Sequence, residues 1–115
     1  MTTDPVFEDA TSLASRIRDR DISAVEALEA HLAQIEKVNP KVNAICTMAA
    51  DQALDTARKL DNGPISGPLH GVPVGIKDLS ATNGIRTTFG SPIFADWVPD
   101  YDALPVERLK KAGAV

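Results

Sequence analysis

Apolar residues recur at helical spacing in four stretches of this chain. In the first, residues 9–20, Leu13 and Ile17 stand one turn apart with Ala10 and Ala14 beside them, and Asp9 is placed to cap. Next, Ser23-Ala-Val-Glu26 forms a capping box, in which serine and glutamate satisfy each other's free backbone donors. It opens a helix whose Val25, Leu28, Leu32 and Ile35 are spaced by three, four and three, and Asn39-Pro40 is expected to stop it. The third stripe is Ala50, Ala53, Leu54, Ala57 and Leu60. Asp61-Asn62-Gly63-Pro64 ends it, with Asn62 or Gly63 free to take a left-handed position. The fourth helix, Asp102 to Lys111, has Asp102 as its expected N-cap and Pro105 in its first turn. Val106 and Leu109 face inward, and Gly113 is the expected stop.

Alternation replaces the helical period at Gly67-Pro-Leu-His-Gly-Val-Pro-Val-Gly-Ile-Lys-Asp78. Val72, Val74 and Ile76 form one bulky face of a short strand, while Pro73 and Gly75 leave the other nearly bare until Lys77. A bare face lets a backbone or ligand come close, and a glycine inside a strand fits that use. A lysine on such a face is a proton-transfer candidate if it is desolvated, because desolvation favours the neutral amine. The opposing reading is an ordinary surface lysine, which wins if the strand stands alone. Val42 to Met48 and Thr82 to Thr88 are further short strand candidates. After the last helix, Gly113-Ala-Val115 reads as the lead into a buried parallel strand that is not completed. The expectation is therefore an α/β chain that is one domain or part of one, with an architecture that looks cut.

Composition narrows this picture. At 43% apolar the chain can bury a core, but 4% aromatic gives it little bulk. A net charge of −4 argues against nucleic acid or an anionic membrane as main partner. The single cysteine, Cys46, excludes an internal disulfide, and Ala44, Ile45 and Met48 around it favour a buried thiol. No run is long and apolar enough to span a bilayer, and the first residues lack a secretion pattern, so the expected location is cytoplasmic. His31, beside Leu28 and Leu32, reads as a core-edge histidine, and His70 as a donor to a backbone carbonyl. Two histidines and one cysteine, far apart, make no metal set. Gly71 to Lys77 lacks the ending of a phosphate loop. Ser91 reads as structural, Phe94 and Trp97 as packing, and Asp78 as an acceptor for nearby backbone donors.

The block at residues 67–78, with Gly84-Ile-Arg-Thr-Thr-Phe-Gly-Ser91, Val98-Pro99, Asp102-Ala103 and Arg108-Leu-Lys-Lys-Ala-Gly-Ala114, resembles the start of the amidase signature family. Asp21-Ile-Ser-Ala-Val-Glu26, Val38-Asn-Pro40, Asn43-Ala44 and the Ala53-to-Asp61 helix match the family's N-terminal pieces in order, so the resemblance covers nearly all of the chain. It implies an N-terminal fragment of a fold with a mixed β-sheet core surrounded by α-helices. It also implies amide hydrolysis by a serine nucleophile, a second serine in a cis-peptide setting and a lysine. Lys77 matches that lysine, and no metal or organic cofactor is implied. Gly75 stands where the family usually has a small aliphatic residue. Both serines lie downstream in the family, so residues 1–115 alone are expected to be inactive. The partners implied are a small-molecule amide and the remainder of the amidase polypeptide or a complementing chain; a homo-oligomer stays open. Two alternatives also stay open. One is the amidase subunit of the glutamine-dependent tRNA amidotransferase, and the other a non-catalytic binding or assembly module.

Overall fold

The structure, a computed structural model, describes residues 3–115. Four α-helices form: α1 (Ala10–Arg18), α2 (Ala24–Val42), α3 (Ala50–Asp61) and α4 (Leu104–Lys111), with short 3₁₀ turns at Pro5–Phe7 and Pro92–Phe94. Asp9 caps α1 by accepting the Ser12 N–H at 2.8 Å. At the start of α2 the free donors of the first turn are taken. Ser23 Oγ accepts the Glu26 N–H (3.0 Å) and Glu26 accepts the Ser23 N–H (2.8 Å). The Asp61 carboxylate, from the end of α3, accepts the N–H groups of Ala24 (2.7 Å) and Val25 (3.1 Å). Arg20, at φ 63°, returns the contact by donating to the carbonyls of Asp61 and Gly63, each at 3.1 Å. The charged run 16–21 thus ties α1 to α3 as well as meeting solvent.

Leu13 and Ile17 of α1, Ala24, Ala27 and Leu28 of α2, Ala57 of α3 and Val72 form the core, with Leu32, Leu54, Leu69 and Val115 packed around it. Gly71, at φ 81°, is needed here. A Cβ on it would lie 2.8 Å from Ala24 Cβ and 2.9 Å from Ile17 Cγ2, so only glycine lets the lysine segment approach α1 and α2 this closely.

Several sequence expectations give way. Asn39-Pro40 does not stop α2, which runs through Pro40 to Val42. A proline in the last turn forfeits one hydrogen bond near an end that frays anyway. Asn43, left-handed at φ 49°, makes the actual stop, its N–H reaching Asn39 O at 2.7 Å. Val42 to Met48 is not a strand, because the Asn39 side chain takes both the N–H (2.9 Å) and the carbonyl (3.1 Å) of Ile45. That places Cys46 on the surface, exposed instead of buried. Neither Asn62 (φ −93°) nor Gly63 is left-handed; α3 closes with Asn62 N–H and Nδ2 on Arg58 O at 3.2 and 2.8 Å. Thr82 to Thr88 is a loop, folded on the Thr82–Thr87 hydroxyl pair at 2.8 Å. Asp102 does not cap α4, whose N-cap is Ala103. It accepts instead from Asn83 N–H (2.8 Å) and Lys110 Nζ (2.7 Å), the side chain being drawn to a cation two turns along.

The mixed sheet is not shown: among the described residues no strand forms. One pair of bonds has the parallel pattern. Val115 N–H donates to Val72 O at 2.9 Å, and Val74 N–H donates to Val115 O at 2.8 Å. A single linked pair makes no ladder, which needs a further neighbour to extend it.

Candidate functional site

Residues 66–78 are held from behind by the end of α4. Leu69 N–H donates to Ala112 O (2.9 Å) and Gly71 N–H to Gly113 O (2.8 Å), ahead of the two Val115 bonds. The approach depends on Gly113, at φ 93°, where a Cβ would sit 2.7 Å from Ser66 Oγ and 2.8 Å from His70 Cα. The extended segment that follows is therefore anchored at Val72, which is 5% exposed, while Val74 and Ile76 are each 36% exposed. The bulky face is buried only at its base.

Lys77 stands at the far end and is exposed in this chain. Among the described residues its side-chain nitrogen joins no ion pair, and its exposure means that these residues do not supply the desolvation a proton-transfer lysine needs. Two residues earlier, Gly75 shares its side of the extended chain. Its backbone is outside the left-handed region, and a Cβ added there would meet nothing within 4 Å. Neither conformation nor packing within residues 3–115 asks for glycine at this position.

Asp78 opens a turn closed by the Ser80 N–H on the Lys77 carbonyl at 3.1 Å. Its carboxylate accepts the Thr88 N–H at 2.8 Å and the Thr88 hydroxyl as well. The Thr88 hydroxyl and N–H, with some help from the Arg86 guanidinium, outweigh partial burial and hold its pKa below the ordinary carboxylate value. Asp78 thus accepts a backbone donor as expected, and the same contact folds the polar loop back beside the lysine segment. Within that loop Phe89 and Gly90 are both left-handed (φ 53° and 68°), and Ser91 N–H donates to Thr88 O at 2.9 Å. Ser91 Oγ accepts the Ile93 N–H (3.2 Å), the structural use expected of it. Phe94 and Trp97 pack with Phe89 at ring distances of 5.1–5.6 Å, and Tyr101 extends the row at 6.3 Å from Trp97.

The histidines do no acid–base work visible here. His31 Nδ1 lies 2.7 Å from Ala27 O, one helical turn back. His70 is 2% exposed, but its partner is not a carbonyl: Ser66 N–H donates to Nδ1 at 3.1 Å, with Ser66 Oγ at 3.0 Å. The neutral ring therefore carries its proton on Nε2, which has no partner among the described residues. Among those residues no group of histidine, cysteine and carboxylate side chains is placed to hold a metal. A shallow apolar groove lined by Leu32, Ile35, Glu36, Asn39, Pro40 and Met48 lies on α2, with no convergent polar chemistry. The sequence had no signal for the Asp78–Thr88 closure beyond the polarity of the loop, since it joins residues ten apart through a turn of irregular backbone.

Comparison with known proteins bears on the same residues. The family model described as Amidase matches residues 26–115. A glutamyl-tRNA(Gln) amidotransferase subunit from Geotalea daltonii is 46% identical over 106 residues, spanning 90% of this chain and 22% of that protein. Its counterpart from Moorella thermoacetica is 46% identical over 110 residues, 92% of this chain and 23% of the relative. Among solved structures, fatty acid amide hydrolase superposes with TM-score 0.90 at 26% identity, covering 100% of this chain and 22% of that one. The native peptide amidase from Stenotrophomonas maltophilia superposes with TM-score 0.86 at 31% identity, covering 95% and 23%. The chain spans under a quarter of the length of each of these four proteins.

Proposed function

The chain belongs to the amidase family, and from that premise we propose that it contributes Lys77 as the proton-transfer residue of an enzyme hydrolysing a carboxamide C–N bond. The observation that carries this is where Lys77 stands. It ends a segment braced by α1, α2 and the end of α4, it has no counter-ion among the described residues, and the Gly75 position on its own side is open. In the proposed reaction neutral Lys77 takes a proton, through a bridging serine, from the serine that attacks the amide carbonyl, and returns it to the leaving amine. Both serines and the oxyanion donors would come from polypeptide outside residues 1–115, so this chain alone is inactive. The same polypeptide would cover Lys77, supplying the desolvation that keeps an amine neutral near pH 7. The Val72–Val115–Val74 bonds would be the first rungs of the mixed sheet. Side chains alone carry this chemistry, the substrate is a small linear amide, and we place the protein in the cytoplasm.

The test is Lys77→Ala in the full-length protein that carries this chain. Turnover should fall by about 10²–10⁴-fold with the fold intact, the range for losing a positioned acid–base group. Near-normal turnover would defeat the reading and favour a binding or assembly module.

A second reading draws on the relatives at 46% identity, which are named as amidotransferase subunits. In it the amide is that of glutamine, and the working enzyme includes further protein chains and a tRNA. Glutaminase activity that rises on adding those partners would select it, and activity on unrelated amides without them would select the first.

A further inference from the structure

We infer that Asp78 is a positioning residue for Lys77, anchoring the Thr88–Ser91 curl against the end of the lysine segment. This rests on Lys77 being the proton-transfer residue. Three observations meet at Asp78. Its carboxylate is fully engaged with one residue, accepting both the backbone N–H and the hydroxyl of Thr88. Thr88, 8% exposed, is also the hub of the curl: its Oγ1 accepts the Gly90 N–H (3.2 Å) and its carbonyl the Ser91 N–H (2.9 Å). Between these bonds Phe89 is held left-handed, a conformation that is strained for a residue with a Cβ and persists only where its surroundings over-determine it.

The consequence falls on the lysine. Asp78 and Leu79 form a turn closed by the Ser80 N–H on the Lys77 carbonyl at 3.1 Å, so fixing the Asp78 side chain on Thr88 fixes the turn to which the Lys77 backbone is bonded. It also keeps the carboxylate next to Lys77 in the chain bonded to Thr88, so that Asp78 braces Lys77 without pairing with it. Among the described residues no ion pair joins Lys77 to Asp78. A proton-transfer group loses rate steeply when its placement drifts, on the order of a hundredfold per ångström.

The experiment compares three variants in the full-length protein, reading kcat and KM separately together with the urea midpoint. Thr88→Val removes the hydroxyl that Asp78 holds, and Thr88→Ser keeps it. Thr87→Val is the control, since it cuts the Thr82–Thr87 hydroxyl pair in the same loop. Thr88→Val should lower kcat by about ten- to a hundredfold with KM within about twofold, and Thr88→Ser should stay within about threefold of the parent. Thr87→Val should lose stability without a matching loss in kcat. Equal kcat losses in Thr88→Val and Thr87→Val, or no rescue by serine, would overturn the inference. Should Thr88→Val fail to fold, Asp78→Asn makes the same comparison: lower kcat at constant KM supports the inference, and unchanged kcat overturns it. Lys77→Ala run alongside separates the two readings. If it is inactive while Thr88→Val is indifferent, only the role of Asp78 falls; if it is active, both fall.

Discussion

A methyl group added at Gly113 would meet Ser66 Oγ at 2.7 Å and the His70 backbone at 2.8–3.0 Å, whereas one added at Gly75 would meet nothing. Gly113 is also left-handed, which alone disfavours alanine by about 1–2 kcal/mol. Gly113→Ala should therefore cost the full-length protein more than about 2 kcal/mol in urea unfolding. Gly75→Ala should leave stability almost unchanged if only residues 3–115 define its surroundings. A large loss there would show a close neighbour outside these residues on the Lys77 side. Carboxylates give a second residue-scale expectation. Ser12 holds the Asp9 pKa below its ordinary value, Ser23 does so for Glu26, and the Thr88 hydroxyl and N–H do so for Asp78. A folded pKa below the unfolded one stabilises above the unfolded pKa and is lost as pH falls through the folded one. Stability should then be flat near neutrality and decline below about pH 4. Urea midpoints from pH 6 downward check this, and Asp78→Asn should shallow the decline. That Asp78 accepts a backbone donor was legible in the sequence, but that the donor is Thr88, ten residues on, was not. The Ser66 partner of His70 was not, since a buried ring can accept from an N–H as readily as donate to a carbonyl.

At the scale of elements, the start of α2 shows how two helices are fixed without a large interface. Asp61 closes α3 and, with the same residue, takes the first two N–H groups of α2, where the helix dipole also favours a negative charge. Asp61→Ala should destabilise by about 1–2 kcal/mol, the range for losing an N-cap, and should loosen α2 and α3 together. Hydrogen exchange would check it: the amides of Ala24 and Val25 should lose protection first. The helices themselves were readable, because periodicity and the Ser23–Glu26 box act within a few residues. Strands were not. Val42 to Met48 has the composition of a strand, yet the Asn39 amide occupies the Ile45 N–H and carbonyl that a neighbouring strand would use. At Val72 to Lys77 the alternation is real, but a strand is completed by its neighbours, and among the described residues only Val115 pairs with it. Pro40 misled for the converse reason, since a local breaker near a helix end has little left to break.

For the whole molecule, surface area is the telling quantity. A complete folded protein of 12.2 kDa would expose about 6,100 Å², against the 7362 Å² found. The radius of gyration, 14.5 Å, likewise exceeds the ~13 Å expected of a compact chain this long. What is buried is also small-bodied. Five of the ten buried apolar residues among those described are alanines, whereas Val74, Ile76, Leu79, Ile93, Tyr101 and Leu104 lie exposed. Alanine burial contributes little transfer free energy, while the loop-rich stretch from 61 to 103 still has to be ordered. Residues 1–115 purified alone should thus melt broadly, with a calorimetric enthalpy well below the ~80 kcal/mol expected of a complete domain of this length. The same helices inside the full-length protein should melt with it as one unit. A single sharp transition of the isolated monomer at full enthalpy would overturn this and give weight to the binding-module alternative, because a part that folds completely by itself has no need of a covering chain. A broad transition that sharpens when the remaining polypeptide is supplied would tie the ordering of the Lys77 segment to the chain that completes the site.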